Sequence, residues 1–316
     1  MSLKAKLTVL AIVAALFVCF FMFQGIGSNW DYVLPSRGKK VLAMVVTGAS
    51  IAIATIIFQT LTNNRILTPS IIGLDSLYML IQTVIIFVLG SQSLTMIDKN
   101  INFLLTVTIM MGFAFLLYQF LFRGEGRNIY FLLLIGLIFG TFFESLSSFM
   151  QVLIDPNEFQ IVQDQMFASF NNIHTELLVL SIAGFGVTLW YLKPFAKYLD
   201  VLSLGKEHAV SLGVSYDYVV NRLLLIVVVL ISISTALVGP ITFLGLLVAN
   251  VGHEFLKTYR HKSLITGTIL ISVIALVGGQ VIVERLFTFT TTLSVIINFI
   301  GGVYFLYLLL KENKTW

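Results

Sequence analysis

Few side chains in this 316-residue chain could do chemistry. His174, His208, His253 and His261 stand at spacings that give no shared ligand set, so no metal site is expected. Cys19 is the only cysteine and has no partner for a disulfide, redox pair or metal cluster; it reads as packing. Glu144 is the one carboxylate deep within an apolar run, with Ser147 and Ser148 three and four residues on, within reach of the same helical face. An ionised acid at mid-bilayer costs about 2.5–3.5 kcal/mol on insertion scales, so Glu144 must face protein or water rather than lipid. Two roles are open to it: contact with a passing cargo, or a structural acid satisfied by neighbouring hydroxyls. The remaining polar concentration is Leu202–Val214, LSLGKEHAVSLGV, between two long apolar runs. With Gly205 and Gly213 as stops, it reads as one or two short helices at a membrane surface, where another molecule can grip them. A solvated interfacial loop has a similar composition.

The elements that position these residues are spans of a membrane. Hydrophobic residues make up 58% of the chain and charged residues 11%, against about 25% charged in a soluble domain, and the mean hydropathy is +0.98. A helix needs roughly 20 apolar residues to cross the hydrocarbon layer. Ten runs qualify, at about 5–24, 41–61, 71–90, 101–122, 129–153, 173–192, 218–238, 242–256, 263–286 and 293–311. The eighth is short and is expected to be partly re-entrant or packed inside protein. Unbroken rather than alternating apolar runs exclude a β-barrel. The expectation is an all-α, polytopic integral membrane protein with about ten transmembrane helices, forming a single domain over 1–316. All five prolines fall at expected span ends or in loops, and no linker or low-complexity tract divides the chain. The first run follows Lys4 and Lys6 as a signal peptide would, but lacks an A-x-A site and reads as an uncleaved span.

Lys and Arg placement sets the orientation. With both termini cytoplasmic, 14 of the 19 basic residues lie inside; Arg37, Lys39, Lys40, Lys99 and Arg285 lie outside with an acidic loop carrying Asp155, Glu158 and Asp164. Asp75 and Glu284, near span ends, read as interfacial. The net charge of +4 reflects this bias and gives no basic soluble face for nucleic acid. Gly239-Pro240 suits the start of a new helix near Thr242, since proline needs no hydrogen bond in a first turn; a plain tight turn is the alternative. The chain contains no G-x-x-x-x-G-K-[ST] and is not expected to hydrolyse ATP.

Three stretches, in order, resemble the vitamin B12 and iron-siderophore permease family of ABC importers. Arg37-Gly38-Lys39-Lys40 through Gly48, Gln59, Asn63-Asn64, Pro69 and Gly73 is similar to its second-to-third span region. Gly205 to Val214 is similar to its L-G-x-x-x-A-x-x-L-G-V coupling segment, and Gly239 to Leu246 to its G-P-I-x-F-x-G-L motif. The resemblance covers essentially the whole chain and implies a permease subunit in the bacterial cytoplasmic membrane, importing a ferric siderophore; haem or cobalamin is the alternative cargo. No catalytic residue and no cofactor are implied. A separate ABC ATPase subunit would be engaged by a coupling segment at about 200–215, through Leu204, Gly205, Lys206, Glu207, His208, Ala209, Leu212 and Gly213. An extracytoplasmic substrate-binding protein would dock on Arg37 and Lys40, with Arg285 a third candidate; anchoring to membrane lipids is the competing role for these cations. Gly239, Pro240, Phe243 and Gly245 would lie beside the translocation path, where Glu144 is also placed.

Two positions depart from the family pattern. Ala249-Asn250 stands where a Pro-His pair is usual, and Thr292 replaces the proline before the last span. These departures resemble permeases that pair with a homologous but different subunit, so a heterodimer is preferred over a homodimer. An ion-coupled secondary transporter would carry more buried ionisable groups and matching broken helices. A membrane enzyme would need His, Asp or Ser clustered at one depth, and no such cluster exists.

Overall fold

The computed structural model describes residues 2–25, 29–90, 99–121, 129–171, 173–289 and 291–312. Helix α2, Trp30–Thr62, is the axis of the bundle and is buried almost continuously from Ala43 to Thr62. At 1.5 Å per residue its 33 residues extend about 50 Å, well beyond a hydrocarbon layer of about 30 Å. Its polar outer turns carry Pro35, which therefore lies inside a helix and not at a span end or in a loop as expected. The proline is exposed, so water can serve the carbonyl that it leaves unpaired. α2 ends at Asn63, whose φ of 48° lets the Asn64 N–H return to the Gln59 carbonyl at 3.2 Å.

Nine further helices complete the ten expected crossings: α1 (Leu3–Phe23), α3 (Leu74–Leu89), α4 (Lys99–Leu121), α5 (Ile129–Leu153), α7 (Thr175–Leu192), α10 (Tyr216–Val238), α11 (Leu244–Leu256), α12 (His261–Arg285) and α13 (Leu293–Glu312). Seven of the ten are long and apolar enough to span a membrane, and α3, α11 and α13 supply shorter apolar stretches. α10 and α12 both pack on α2; α4 and α7 contact α10, α1 contacts α12, and α11 contacts both α12 and α13. Close approach depends on small residues, as membrane packing requires. Gly48 of α2 faces Ser272 of α12, and Gly252 of α11 faces Thr268.

Between crossings lie three short helices. The acidic loop expected outside is instead helix α6, Pro156–Gln165, because Asp155 caps it with a 3.0 Å bond from the Asn157 N–H and Pro156 fills the first position. α8 (Leu199–Leu202) and α9 (Lys206–Ser211) follow a 3₁₀ turn at Ala196–Tyr198. Arg123, Arg127 and Lys314, assigned to the cytoplasmic side above, lie outside the described residues.

The contact between the start of α3 and α5 is made backbone to backbone. A Cβ on Gly136 would stand 2.8 Å from the Ile72 Cα, and one on Gly73, whose φ is +83°, 2.8 Å from the Gly140 Cα. Gly136→Val should therefore force the two elements apart and cost about 1–3 kcal/mol of stability. Gly112→Ala, where a Cβ meets nothing within 4 Å, should be close to neutral. Thermal unfolding of both variants in detergent checks this.

Candidate functional site

The glycine-punctuated segment folds as the two short helices expected, and each glycine has a backbone task. Gly205, at φ +95°, breaks the chain between α8 and α9; Gly213, at φ +81°, ends α9 in a left-handed cap. There the Gly213 N–H reaches the Val210 carbonyl at 2.9 Å and the Val214 N–H the Ala209 carbonyl at 3.0 Å. Nothing lies within 4 Å of where a Cβ would be at either glycine, so conformation and not crowding selects them. Ala209 and Leu202 are buried, whereas Lys206, Glu207 and His208 are exposed. Leu204, Val210 and Leu212 are also exposed, at 56%, 52% and 64%, which leaves apolar surface on an otherwise polar patch.

This segment is tied to the membrane helices through Asp200 in α8. Its Oδ1 accepts from the His261 backbone N–H at 2.8 Å and lies 2.7 Å from the ring Nδ1, and Nε2 of that ring lies 2.8 Å from Thr60 Oγ1 in α2. Partial burial raises the Asp200 carboxyl, but the His261 hydrogen bonds and the Arg260 charge outweigh it and hold the group below the ordinary carboxylate range. The stability this contributes is full above that range and is lost as pH falls through the depressed value. No spacing signalled the pairing: 61 residues separate Asp200 from His261 and 201 separate Thr60 from it.

The three outer cations are held within the fold. Arg37 donates to the Phe21, Met22 and Gln24 carbonyls at 3.0, 3.0 and 2.8 Å, and Arg285 to the Gln24 carbonyl at 3.0 Å. They thus cover the unpaired carbonyls and negative dipole end of α1. Lys40 pairs with Glu284 at 3.0 Å, the side chains being 16% and 13% exposed. Gln280 Nε2 bridges Glu284 and Asn171 at 3.0 and 3.1 Å.

The third motif is a break between α10 and α11. Gly239, at φ +97°, passes so close to Ala168 that a Cβ would lie 3.1 Å from its Cα. The Val238 carbonyl accepts from the Ser169 N–H at 2.9 Å. The helix expected to begin near Thr242 begins at Leu244, because Thr242 and Phe243 are held elsewhere. Thr242 Oγ1 donates to Asp75 at 3.3 Å, and the Phe243 N–H to Asn298 of α13 at 3.4 Å. Gly245 packs on Thr55 of α2. Asp75, read above as interfacial, instead lines a cavity of about 10 Å³ with Thr55, Ser234 and Thr242, room for one water.

Glu144 is exposed on α5 and makes no hydrogen bond or ion pair among the described residues. Ser147, one of the two hydroxyls spaced to reach it, is 3% exposed and bonds Thr83 at 2.8 Å and Gln151 at 2.9 Å. Around Glu144 the free face of α5 is apolar: Leu137, Ile138, Phe142 and Phe149 are each more than half exposed. Asn250, the second residue of the pair that stands where Pro-His is usual, has a clear task. Asn250 Nδ2 donates to the Arg65 carbonyl at 3.0 Å, fixing the loop between α2 and α3.

The sequence model of the FecCD transport family matches residues 4–311. The chain belongs to the FecCD transport family. As such it is a multi-pass membrane permease of a bacterial ABC importer, and not itself an enzyme. It is 63% identical over 313 residues to the petrobactin import system permease protein YclO of Bacillus subtilis (strain 168), covering 99% of each chain. The permease protein YclN of the petrobactin import system in that strain is 25% identical over 285 residues, covering 88% of this chain and 85% of that one. A metal-chelate type ABC transporter solved in an inward-facing conformation superposes with a TM-score of 0.85 at 21% identity, over 98% of this chain and 100% of that one. The FecCD fold therefore holds over the full span expected from the sequence.

Within this FecCD chain the Lys40–Glu284 pair lies largely away from water, so removing one partner leaves the other charge uncompensated. Lys40→Met and Glu284→Gln should each destabilise by roughly 1–3 kcal/mol. The double variant should lose less than the sum, a coupling that a double-mutant cycle of thermal stabilities measures.

Proposed function

We propose that this permease imports a ferric siderophore of the petrobactin class, in a heterodimer with a homologous permease. The observation that carries the cargo is the 63% identity to a petrobactin import permease along the full length of both chains. A homologous pair is supported by two diverged permeases named for that same import system, both similar to this chain. α5 and α13 leave apolar side chains exposed where a second bundle could pack; Phe299, Val303 and Leu306 on α13 are each more than half exposed.

Each surface then has a role in one transport unit formed by the single domain 1–316. The segment 200–215 enters a separate ATPase subunit: Leu204 and Leu212 supply apolar contact, Lys206, Glu207 and His208 set orientation, Ala209 seats α9 on the bundle, and Gly205 and Gly213 fix its angle. Glu144, on an exposed face and without a partner among the described residues, meets water and the polar chelate between the two permeases. The break at Gly239, Pro240, Phe243 and Gly245 holds α10, α11 and α13 together beside that path. Arg37, Lys40 and Arg285 form the basic outer surface that receives a substrate-binding protein.

Reconstitution with the second permease, the ATPase and the binding protein tests this reading. Vesicles should accumulate iron supplied as the petrobactin chelate in an ATP-dependent manner and show no uptake when the ATPase is omitted. Equal rates for haem or cobalamin would refute the cargo assignment. Gly213→Val, which places a β-branched side chain at positive φ, should abolish uptake with normal membrane insertion, whereas Gly213→Asn should retain part of it. Normal uptake by the valine variant would remove this segment from energy coupling.

A further inference from the structure

The Asp200, His261 and Thr60 contacts join three elements that the chain keeps far apart: the short cytoplasmic helices, the first residue of α12 and the last turn of α2. The His261 ring bridges two of them: Nδ1 lies 2.7 Å from Asp200 Oδ1 of α8, and Nε2 lies 2.8 Å from Thr60 Oγ1 of α2, an oxygen that is also 2.7 Å from the Ile56 carbonyl of its own helix. Thr60 and His261 are 8% and 6% exposed, too enclosed to touch a docked partner themselves.

What lies beyond Thr60 makes the connection more than a local anchor. Gln59, its neighbour in the same turn, donates through Nε2 to the Arg65 carbonyl at 2.5 Å, and Asn250 of α11 meets that same oxygen. The loop so fixed leads into the Pro69–Gly73 turn, whose backbone rests on Gly136 and Gly140 of α5. The pathway helix and the ATPase-facing segment are thus joined by short polar bonds and backbone contact, the kind of contiguous network through which displacement can travel.

We propose that Asp200, His261 and Thr60 form a clasp that transmits movement of the cytoplasmic segment to the inner end of α2, and through it to α3 and α5. This rests on reading 200–215 as the ATPase-coupling segment. His261 and Thr60 act as positioning residues: they make no contact with nucleotide or cargo, and their loss uncouples hydrolysis from import without dissociating the ATPase.

The test measures ATP hydrolysed per chelate imported in reconstituted vesicles, with ATPase retention and thermal stability measured in parallel. Thr60→Val keeps the shape and removes the hydroxyl; the ratio should rise at least fivefold with the ATPase still bound. Thr60→Ser, which restores the hydroxyl, should return it to near the wild-type value. His261→Phe should raise the ratio similarly, and the Thr60→Val/His261→Phe double variant should be no worse than either alone, because one chain of contacts is cut once. A purely structural role would lower stability and both rates together and leave the ratio unchanged. An unchanged ratio in Thr60→Val overturns the clasp, as does release of the ATPase by that buried substitution. Normal uptake by Gly213→Val would instead overturn the reading of the segment itself, so the two failures are distinct.

Discussion

Within a bilayer no water is present to satisfy a polar group, and every feature of this protein follows from where that rule is obeyed or relaxed. In the last turn of α2 the hydroxyls of Thr60 and Thr62 turn back on their own helix, to the Ile56 and Phe58 carbonyls at 2.7 and 2.9 Å, whereas the buried hydroxyls of Thr47, Ser50 and Thr55 nearer its middle have no hydrogen-bond partner among the described residues. Polar side chains between helices meet one another, as Gln82 meets Thr106 and Ser147 meets Thr83. Groups that break the rule then stand out physically: an unpaired carboxylate on an exposed face, a broken helix beside a small polar cavity, and an apolar patch on the cytoplasmic segment.

Composition and run length were enough for the ten crossings, because the requirement for about 20 apolar residues operates on each helix alone. They failed where a helix outruns the membrane. The stretch Trp30–Lys40 is too polar to read as a span, yet it continues α2 because a helix already nucleated extends at little cost. Asp155-Pro156 carried a readable helix start, but the acidic charges that follow it suggested a loop. Gly205 and Gly213 were legible as stops because positive φ is a local property that glycine announces.

Tertiary pairing was not legible. Lys40 meets Glu284 across 244 residues, and nothing near either residue in sequence marks the other. The four histidines share no ligand spacing, whereas His261 acts through hydrogen bonds to two elements distant in sequence. Of the two hydroxyls spaced to reach Glu144, Ser147 is committed to Thr83 and Gln151, while Ser148 lies exposed on the same helix.

Glu144, exposed on α5 and without a hydrogen bond or ion pair among the described residues, is the residue on which the proposed passage between two permeases rests most directly, since an ionised carboxylate is costly against lipid. Accessibility of Glu144→Cys in a Cys19→Ala background, probed in the assembled transporter with a membrane-impermeant, water-soluble thiol reagent in each nucleotide state, tests this directly. The account predicts modification in at least one state, changing as nucleotide is exchanged. Complete protection in every state of a transporter that still imports would place this face of α5 against lipid or protein and contradict it.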